Sequence, residues 1–544
     1  MDNPSPCLNL RTNDTLDSIV FDLSDIKKQL SFVRPTFHPG PDGVPPVVFK
    51  LGGPDMGIIL LNLFNLSMKY SIYPSQWKLS VIMPLHKKGP LHDPSCYRPI
   101  NHTPIVSRLM ERIVKGQIVT YLLSRNLIND GQHGFLKTRS CVTCQLDFLN
   151  LITTVADSGK AFITIFLDMT KAFDRVPHSL LIAKIRMFGI VDPLLSWLAS
   201  YLAMRFQKVN VNGHLSQPLP VTSGVIQGSV LGPLLFLLYI DDVFPVIRYG
   251  TPFLFADDIK IVYPFEPSSL NNTLSNIAHD LASLDTWCNS WSMSFSAAKS
   301  SILTYKCIIP SGSLILNGSA LNCNPLVRDL GLHYSCTFNF SEQATFQIAK
   351  AKRTIGLIHR TFRIRESKLL VYSSHARPLL EFCPVIFSHM LKSDRIALEK
   401  VQRSFTKHLV GFSSPLNYKE RCELLHLEPL WLRRLKLNLC FLFNLLHGRS
   451  HSLTKLNVCP STSYPLRHRG LTLPVPRSRL AFRHKFFTIV YSSLWNKLPI
   501  AVRSCSSLFQ FKAALHKLLD VEYVVHATNS HIDIARAYEA GFDF

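Results

Sequence analysis

Residues 251–263 read TPFLFADDIKIVY, two short arms rich in Phe, Ile and Val that meet at Asp257-Asp258. Arms of this composition, joined through two acids, predict a tight β-hairpin whose turn is Asp257-Asp258. Asp168, 89 residues before Asp257, ends a second apolar, β-rich run, AFITIFLD (161–168). The next stretch, PHSLLIAKIRMFG (177–189), returns to helical spacing and stops at Gly189, so a strand followed by a helix is expected. Carboxylates beside an apolar core lose solvation, and a bound cation offsets that cost. Asp168, Asp257 and Asp258 therefore suit two Mg²⁺ ions, which lower the pKa of an attacking hydroxyl and stabilise a leaving oxygen in phosphoryl transfer. On placement alone, acids that merely cap surface turns are an equal alternative.

A second acidic pair competes for the role. Tyr239-Ile240-Asp241-Asp242 follows a long apolar run begun by Gly232-Pro233 and precedes Pro245, which a central strand tolerates badly. That pair reads as a helix end, so the metal role goes to Asp257-Asp258.

Hydrophobic residues make up 47% of the 544, enough for sizeable cores and several structural units, which excludes a disordered chain or one small module. The 59 Lys and Arg against 36 Asp and Glu leave a formal charge of +23, which favours a polyanionic partner such as nucleic acid or an anionic membrane. The excess is concentrated: Pro429–Leu519 contains fifteen Lys or Arg and no acid. The first residues have neither the basic cluster nor the apolar core of a secretory signal, so reduced cysteines are expected. Cys141 and Cys144 lack a second Cys/His pair nearby and read as ordinary thiols. The apolar stretch around Val230–Ile240 falls short of the ~20 residues of a membrane helix, so no membrane partner is expected.

Along the chain, PTFHPGPDGVPP (35–46) forbids regular structure. Thr103 as a cap, with Pro104 at the first helical position, opens a stripe of apolar residues that predicts a helix to about Asn126. Beyond Phe340 the pattern is mostly helical, clearest at 344–359 and 391–409. Pro465, Pro474 and Pro476 suggest an extended basic arm, while Phe482, Phe486, Phe487, Leu494 and Trp495 imply that part of it packs.

Three blocks carry a resemblance. LDMTKAFD (167–174), GVIQGSVLGP (224–233) and FADD (255–258) are similar, in order, to the central motifs of the reverse transcriptases of non-LTR (LINE-like) retrotransposons. Upstream, GPDGVP (40–45), Trp77-Lys78, VIMPLHKKG (81–89), CYRPIN (96–101) and QHGF (132–135) extend the likeness. Downstream it continues through Trp287, Lys299 and RDLG (328–331), and RPLLEFC (377–383), LEKVQRSF (398–405) and LWNKLP (494–499) resemble the C-terminal part of jockey- and CR1-type elements. The chain departs from the family's usual residues at Ile226, normally Pro, and Ser296, normally Asn.

The resemblance implies an RNA-directed DNA polymerase that adds dNTPs to a DNA primer on an RNA template. Asp168 and Asp257 would be its principal Mg²⁺ ligands, with Asp258 beside them and Mn²⁺ as a substitute. Lys87 and Arg98 correspond to positions that hold the triphosphate, as a point charge and a guanidinium fork can. Phe173 corresponds to the aromatic residue that would clash with a ribose 2′-hydroxyl. Gln227 and Gly228 correspond to the turn that approaches nucleotide and template. Lys299 matches a lysine near the leaving pyrophosphate, with a solvated surface lysine the equal alternative.

The implied fold is α+β, a right-hand polymerase with a mainly helical, basic C-terminal region. Its expected divisions are an N-terminal segment (1–59), fingers and palm (60–335), a helical thumb (336–428), a basic region (429–519) and a tail (520–544). Arg467, Arg469, Arg477, Arg479 and Arg483 are the expected nucleic-acid contacts. The likeness further implies a nuclear location with a cytoplasmic ribonucleoprotein stage, and a copy lacking the endonuclease that elements of this type carry. The alternative is a decayed or co-opted copy that binds nucleic acid without catalysis.

Overall fold

The computed structural model describes residues 10–454, 456 and 472–518. Its central sheet is built on the strand Ala161–Leu167, every residue of which is buried. Ile163, Ile165 and Leu167 enter one hydrophobic core, whereas Phe162 and Phe166 on the opposite face enter another. A strand apolar on both faces belongs between two packed layers, and each fully buried Ile, Leu or Phe contributes about 1.5–3 kcal/mol.

On one side the strand pairs antiparallel with Asp258–Phe265 along its whole length, and on the other with Ser301–Tyr305. Asn322–Cys323 and Thr251–Phe255 complete the two edges. The first core includes the helices Ile105–Ser124, His178–Met187, Leu194–Leu202, Gly232–Ile240 and Leu270–Ser290. The second lies under the helix Cys141–Asp157 and runs through Ser341–Thr361, Lys392–Val410, Leu430–Leu446, Phe487–Lys497 and Leu508–Leu518. A smaller sheet pairs Leu79–His86 antiparallel with Tyr97–His102 and parallel with Arg205–Val211.

The strand before Asp168, the helix after it and the hairpin arms all form, as expected. Two local readings need correction. Phe255 pairs with Asp258, so the turn is Ala256-Asp257, and Asp258 is the first residue of the returning strand. Ala256 accordingly takes φ +57°, unusual for a residue with a Cβ. Pro104, with φ −52° and ψ 146°, is the N-cap itself, and no side-chain cap closes the helix that begins at Ile105.

The basic region follows both parts of its reading, irregular at the prolines and packed at the aromatic residues. Residues 472–478 are irregular, but helices follow from Ala481 onward, because Phe486, Phe487, Tyr491 and Trp495 are buried in the second core. An extended arm is therefore limited among the described residues to 472–478. The expected boundary after residue 59 falls inside the helix Gly53–Lys69. At Pro429 the boundary falls on a helix N-cap, with the same core on both sides. The expected tail, 520–544, lies outside the described residues. Among the described residues no helix is long and apolar enough to cross a membrane.

Candidate active site

Antiparallel pairing removes the 89-residue separation between the acids. Leu167 lies opposite Ile259, so the same register continued by one residue sets Asp168 beside Asp258, with Asp257 on the adjoining turn. A backbone strap fixes this end of the sheet. Ser296 N–H donates to Asp168 O (2.8 Å), Thr170 N–H to Ser294 O (2.9 Å) and Asp168 N–H to Ser300 Oγ (3.2 Å). The strap also carries Lys299, whose Nζ lies 3.6 Å from Asp168 Oδ1. Both side chains are well exposed, at 62% and 42%, so this ion pair contributes little to stability and leaves the lysine free to meet a ligand.

The electrostatics record the crowding. Burial raises the Asp257 carboxyl above its ordinary range and the Asp168 charge raises it further, while Arg98 and Lys87 pull it down. Asp258 is pushed up to about 7, first by desolvation and then by Asp257, Asp329 and Asp168, against the opposing charge of Lys260. A group held above its unfolded pKa of about 4 destabilises the fold as pH rises toward 7, because the unfolded chain gives up that proton first. In EDTA, Asp258→Asn should therefore melt above the wild type at pH 8, with the difference vanishing near pH 4. Thermal melts at the two pH values check this, and a lower midpoint at pH 8 would contradict it.

These acids fit a divalent cation by donor chemistry: hard oxygen ligands, mutually repelling, at the open end of a sheet. They are not a closed cage, for among the described residues no three His, Cys, Asp or Glu are grouped closely enough to hold a metal alone. Mg²⁺ suits such an open set, because it keeps several waters and takes one or two carboxylates together with substrate phosphates.

Lys87 and Arg98 belong to the smaller sheet, Lys87 just past the strand Leu79–His86 and Arg98 opposite Leu85 on its partner. Both are exposed, and the charge of each favours the ionised Asp257 carboxyl. Phe173 is half-buried. Its ring stacks on Phe236 at 4.3 Å and meets Phe135 edge-on at 6.0 Å. Its carbonyl accepts from Val225 N–H (2.8 Å), which ties it to the 224–228 turn. In that turn Gln227 Nε2 donates to Asp174 Oδ1 (2.8 Å), and Gln227 O accepts from Asn101 N–H (2.8 Å). Gly228 has φ +105°, and a Cβ there would come within 2.5 Å of Asn101 O, so only glycine fits this approach.

The competing acids sit at a helix end, as read from the sequence. Asp241 is buried, paired with Arg11, and accepts from Asn129 N–H (3.0 Å). Asp242 accepts from Lys184 Nζ (2.7 Å) and Trp287 Nε1 (3.1 Å). Both are committed to packing. Among the five arginines, Arg467 and Arg469 lie outside the described residues, and Arg477 and Arg479 are exposed. Arg483 donates through Nη1 to Asn150 Oδ1 (2.9 Å) and Thr153 Oγ1 (2.7 Å) and lies over the Phe486 ring. It fastens the basic region to the helix Cys141–Asp157.

Known proteins are similar to this chain in sequence. A probable RNA-directed DNA polymerase from transposon X-element of Drosophila melanogaster is 34% identical over 255 residues, 45% of this chain and 28% of that protein. One from transposon BS of the same organism is 29% identical over 286 residues, 51% and 31% of the two chains. The RNA-directed DNA polymerase from mobile element jockey of Drosophila melanogaster is 25% identical over 374 residues, 66% and 40%. The chain thus spans less than half the length of these relatives. The family model described as reverse transcriptase (RNA-dependent DNA polymerase) matches residues 85–363, just over half of the chain and the whole span from Lys87 to Lys299. With Asp168 just past one strand, Asp258 opening its antiparallel partner and Asp257 on the turn between the hairpin strands, the chain belongs to the reverse transcriptase family.

Proposed function

We propose that this chain is the RNA-directed DNA polymerase of a non-LTR retrotransposon, adding dNTPs to the 3′-hydroxyl of a DNA primer on an RNA template. The observation that carries the reading is the register placing Asp168 beside Asp258, with Lys87 and Arg98 acting on Asp257 from the fingers. Cations on one wall and acids on the other are the complement of a triphosphate that brings its own Mg²⁺.

In this reading Asp168, Asp257 and Asp258 hold the divalent ions, Mg²⁺ or Mn²⁺. When bound, such ions activate the attacking hydroxyl and stabilise the leaving oxygen. Lys87 and Arg98 orient the triphosphate, and Lys299, beside Asp168, neutralises charge on the departing pyrophosphate. Phe173, braced by Phe236, closes the space that a 2′-hydroxyl would need, and the Gln227-Gly228 turn lets nucleotide and template approach the backbone. The test is primer extension: the chain should elongate a DNA primer on RNA with dNTPs and Mg²⁺. Binding without elongation would select the copy that only holds nucleic acid.

The basic region supplies phosphate contacts in the same reading. Replacing Arg467, Arg469, Arg477 and Arg479 with Gln should weaken RNA binding at low salt and flatten its salt dependence by about 0.7 per lost contact on single strands. Arg483 is left in place because its guanidinium is engaged by Asn150 and Thr153. Filter-binding titrations from low to high salt read the slope. An unchanged slope would detach the charge excess from RNA.

A further inference from the structure

Behind the Ala256-Asp257 turn lies a loop whose bonds aim at the turn itself. His133 N–H donates to Leu254 O (2.7 Å) and Leu254 N–H to Gly131 O (2.9 Å), so residues 131–133 run as a short parallel bridge along the hairpin's edge. That bridge delivers the Gln132 side chain, 1% exposed, to the turn. Its Oε1 accepts from Ala256 N–H (2.9 Å) and from Gly134 N–H (2.8 Å). Gly134 packs so closely that a Cβ there would sit 2.5 Å from Ala256 N. Ala256 holds φ +57° without the freedom of glycine, and a buried acceptor on its N–H offsets the cost of that conformation. Gln132 Nε2, by contrast, is buried without a partner among the described residues, so the site uses the oxygen and not the amide hydrogens.

The loop is itself held from two directions. Arg139 Nη1 donates to Asn129 O (2.7 Å) and Gln132 O (2.6 Å). From the C-terminal region, His451 N–H donates to Thr138 O (2.8 Å), and His451 Nε2 lies 3.0 Å from Asp130 O. The next residues close on Asp147, a buried carboxylate that accepts from Ser452 Oγ, Leu453 N–H (3.0 Å), Thr454 N–H (3.3 Å) and Thr454 Oγ1 (3.2 Å). Asp147 Oδ2 also lies 3.6 Å from His133 Nε2. Burial holds His133 down at about 2, so this last contact joins a neutral imidazole to the acid and is not an ion pair.

We propose that Gln132 is a positioning residue for nucleotide transfer. Its Oε1 fixes the Ala256 peptide and thereby the aim of Asp257, and the strap His451–Thr454 is the part of that support supplied by the C-terminal region. The inference rests on the polymerase reading for its effect on rate, but its geometric content stands apart from it. A carboxylate misplaced by about 1 Å costs on the order of a hundredfold in rate while leaving substrate binding largely intact.

The test compares Gln132→Met, which keeps the length and loses the acceptor, with Gln132→Glu, which keeps Oε1. Hydrogen exchange of peptides covering 252–260 should speed up roughly tenfold or more in Gln132→Met and stay near wild type in Gln132→Glu, the scale of one lost buried hydrogen bond. Primer extension should show kcat lowered about ten- to a hundredfold in Gln132→Met, with dNTP KM and template-primer Kd unchanged, and largely restored in Gln132→Glu. Ser452→Ala with Thr454→Val should speed exchange across 129–134. Unchanged exchange in Gln132→Met overturns the proposal whatever the activity, and equal kcat loss in the Met and Glu variants reduces Gln132 to a packing role. Unchanged exchange across 129–134 in the double variant removes the strap. If the wild type fails to extend a primer, the polymerase reading falls, and the exchange data still decide whether Gln132 holds the turn.

Discussion

Asp257→Asn should abolish DNA synthesis, lowering the rate by at least roughly two to three orders of magnitude, the scale of losing a major electrostatic stabiliser. Asp257 occupies the turn itself, where its own backbone N–H donates the hydrogen bond that acts on its carboxyl, while Asp258 keeps its place on the returning strand and Asp168 its place just past the strand opposite. The substitution removes charge where a cation is needed and leaves the cations of the fingers and the basic region untouched. Template-primer affinity, measured by filter binding, should therefore change by less than about threefold, since it rests on phosphate contacts. Asp241→Asn provides the contrast. It retains an oxygen for Asn129 N–H but loses the charge that Arg11 pairs with, so its effect should fall mainly on the melting temperature. Should Asp241 prove essential and Asp257 dispensable, the competing acidic pair is the catalytic one.

Phe173→Val should lower the preference for deoxyribonucleotides over ribonucleotides, by about ten- to a hundredfold. A steric wall discriminates by clashing with the wrong substrate and loses that power when shortened, and an apolar wall facing an added hydroxyl works in the range of about a hundredfold. Phe173 is a suitable wall because Phe236 stacks behind it and the 224–228 turn holds its backbone. The same stacking means that the variant also loses packing, so the ratio of kcat/KM for rNTP and dNTP is the quantity to measure. An unchanged ratio would return Phe173 to the core.

The sheet was legible because its signal is local: apart from Thr164, AFITIFL is apolar at every position before Asp168, and the two arms of TPFLFADDIKIVY carry β-branched and aromatic residues up to the acids. The turn was misplaced by one residue because Ala256 bears no mark of a positive φ; glycine or asparagine would have announced it. Thr103 looked like a cap, yet the ring of Pro104 already holds the extended conformation a cap needs, which moves the terminus by one position. Motif resemblance singled out Lys87, Arg98, Phe173, Gln227 and Gly228, and backbone hydrogen bonds tie the 224–228 turn both to Asn101, on the strand Tyr97–His102 with Arg98, and to Phe173.

Long-range hydrogen bonds explain what stayed hidden. Gln132 supports a turn 124 residues away through one oxygen, and Asp147 accepts from Ser452 across 305 residues. Neither contact has a period or a composition that a sequence could display. Arg483 looked like its basic neighbours but is taken up by the helix Cys141–Asp157, a distinction that only packing reveals. In the basic region both signals were legible: the prolines mark the irregular stretch 472–478, and the aromatic residues after Leu480 bury against the second core.

The most direct measurement is incorporation of dTTP by the wild-type chain on an oligo-dT primer annealed to poly(rA), with and without Mg²⁺. The account predicts elongation that depends on the metal, is lost on chelation, and uses dTTP in preference to UTP. A chain that binds the poly(rA) hybrid yet adds no nucleotide at any Mg²⁺ or Mn²⁺ concentration would contradict it.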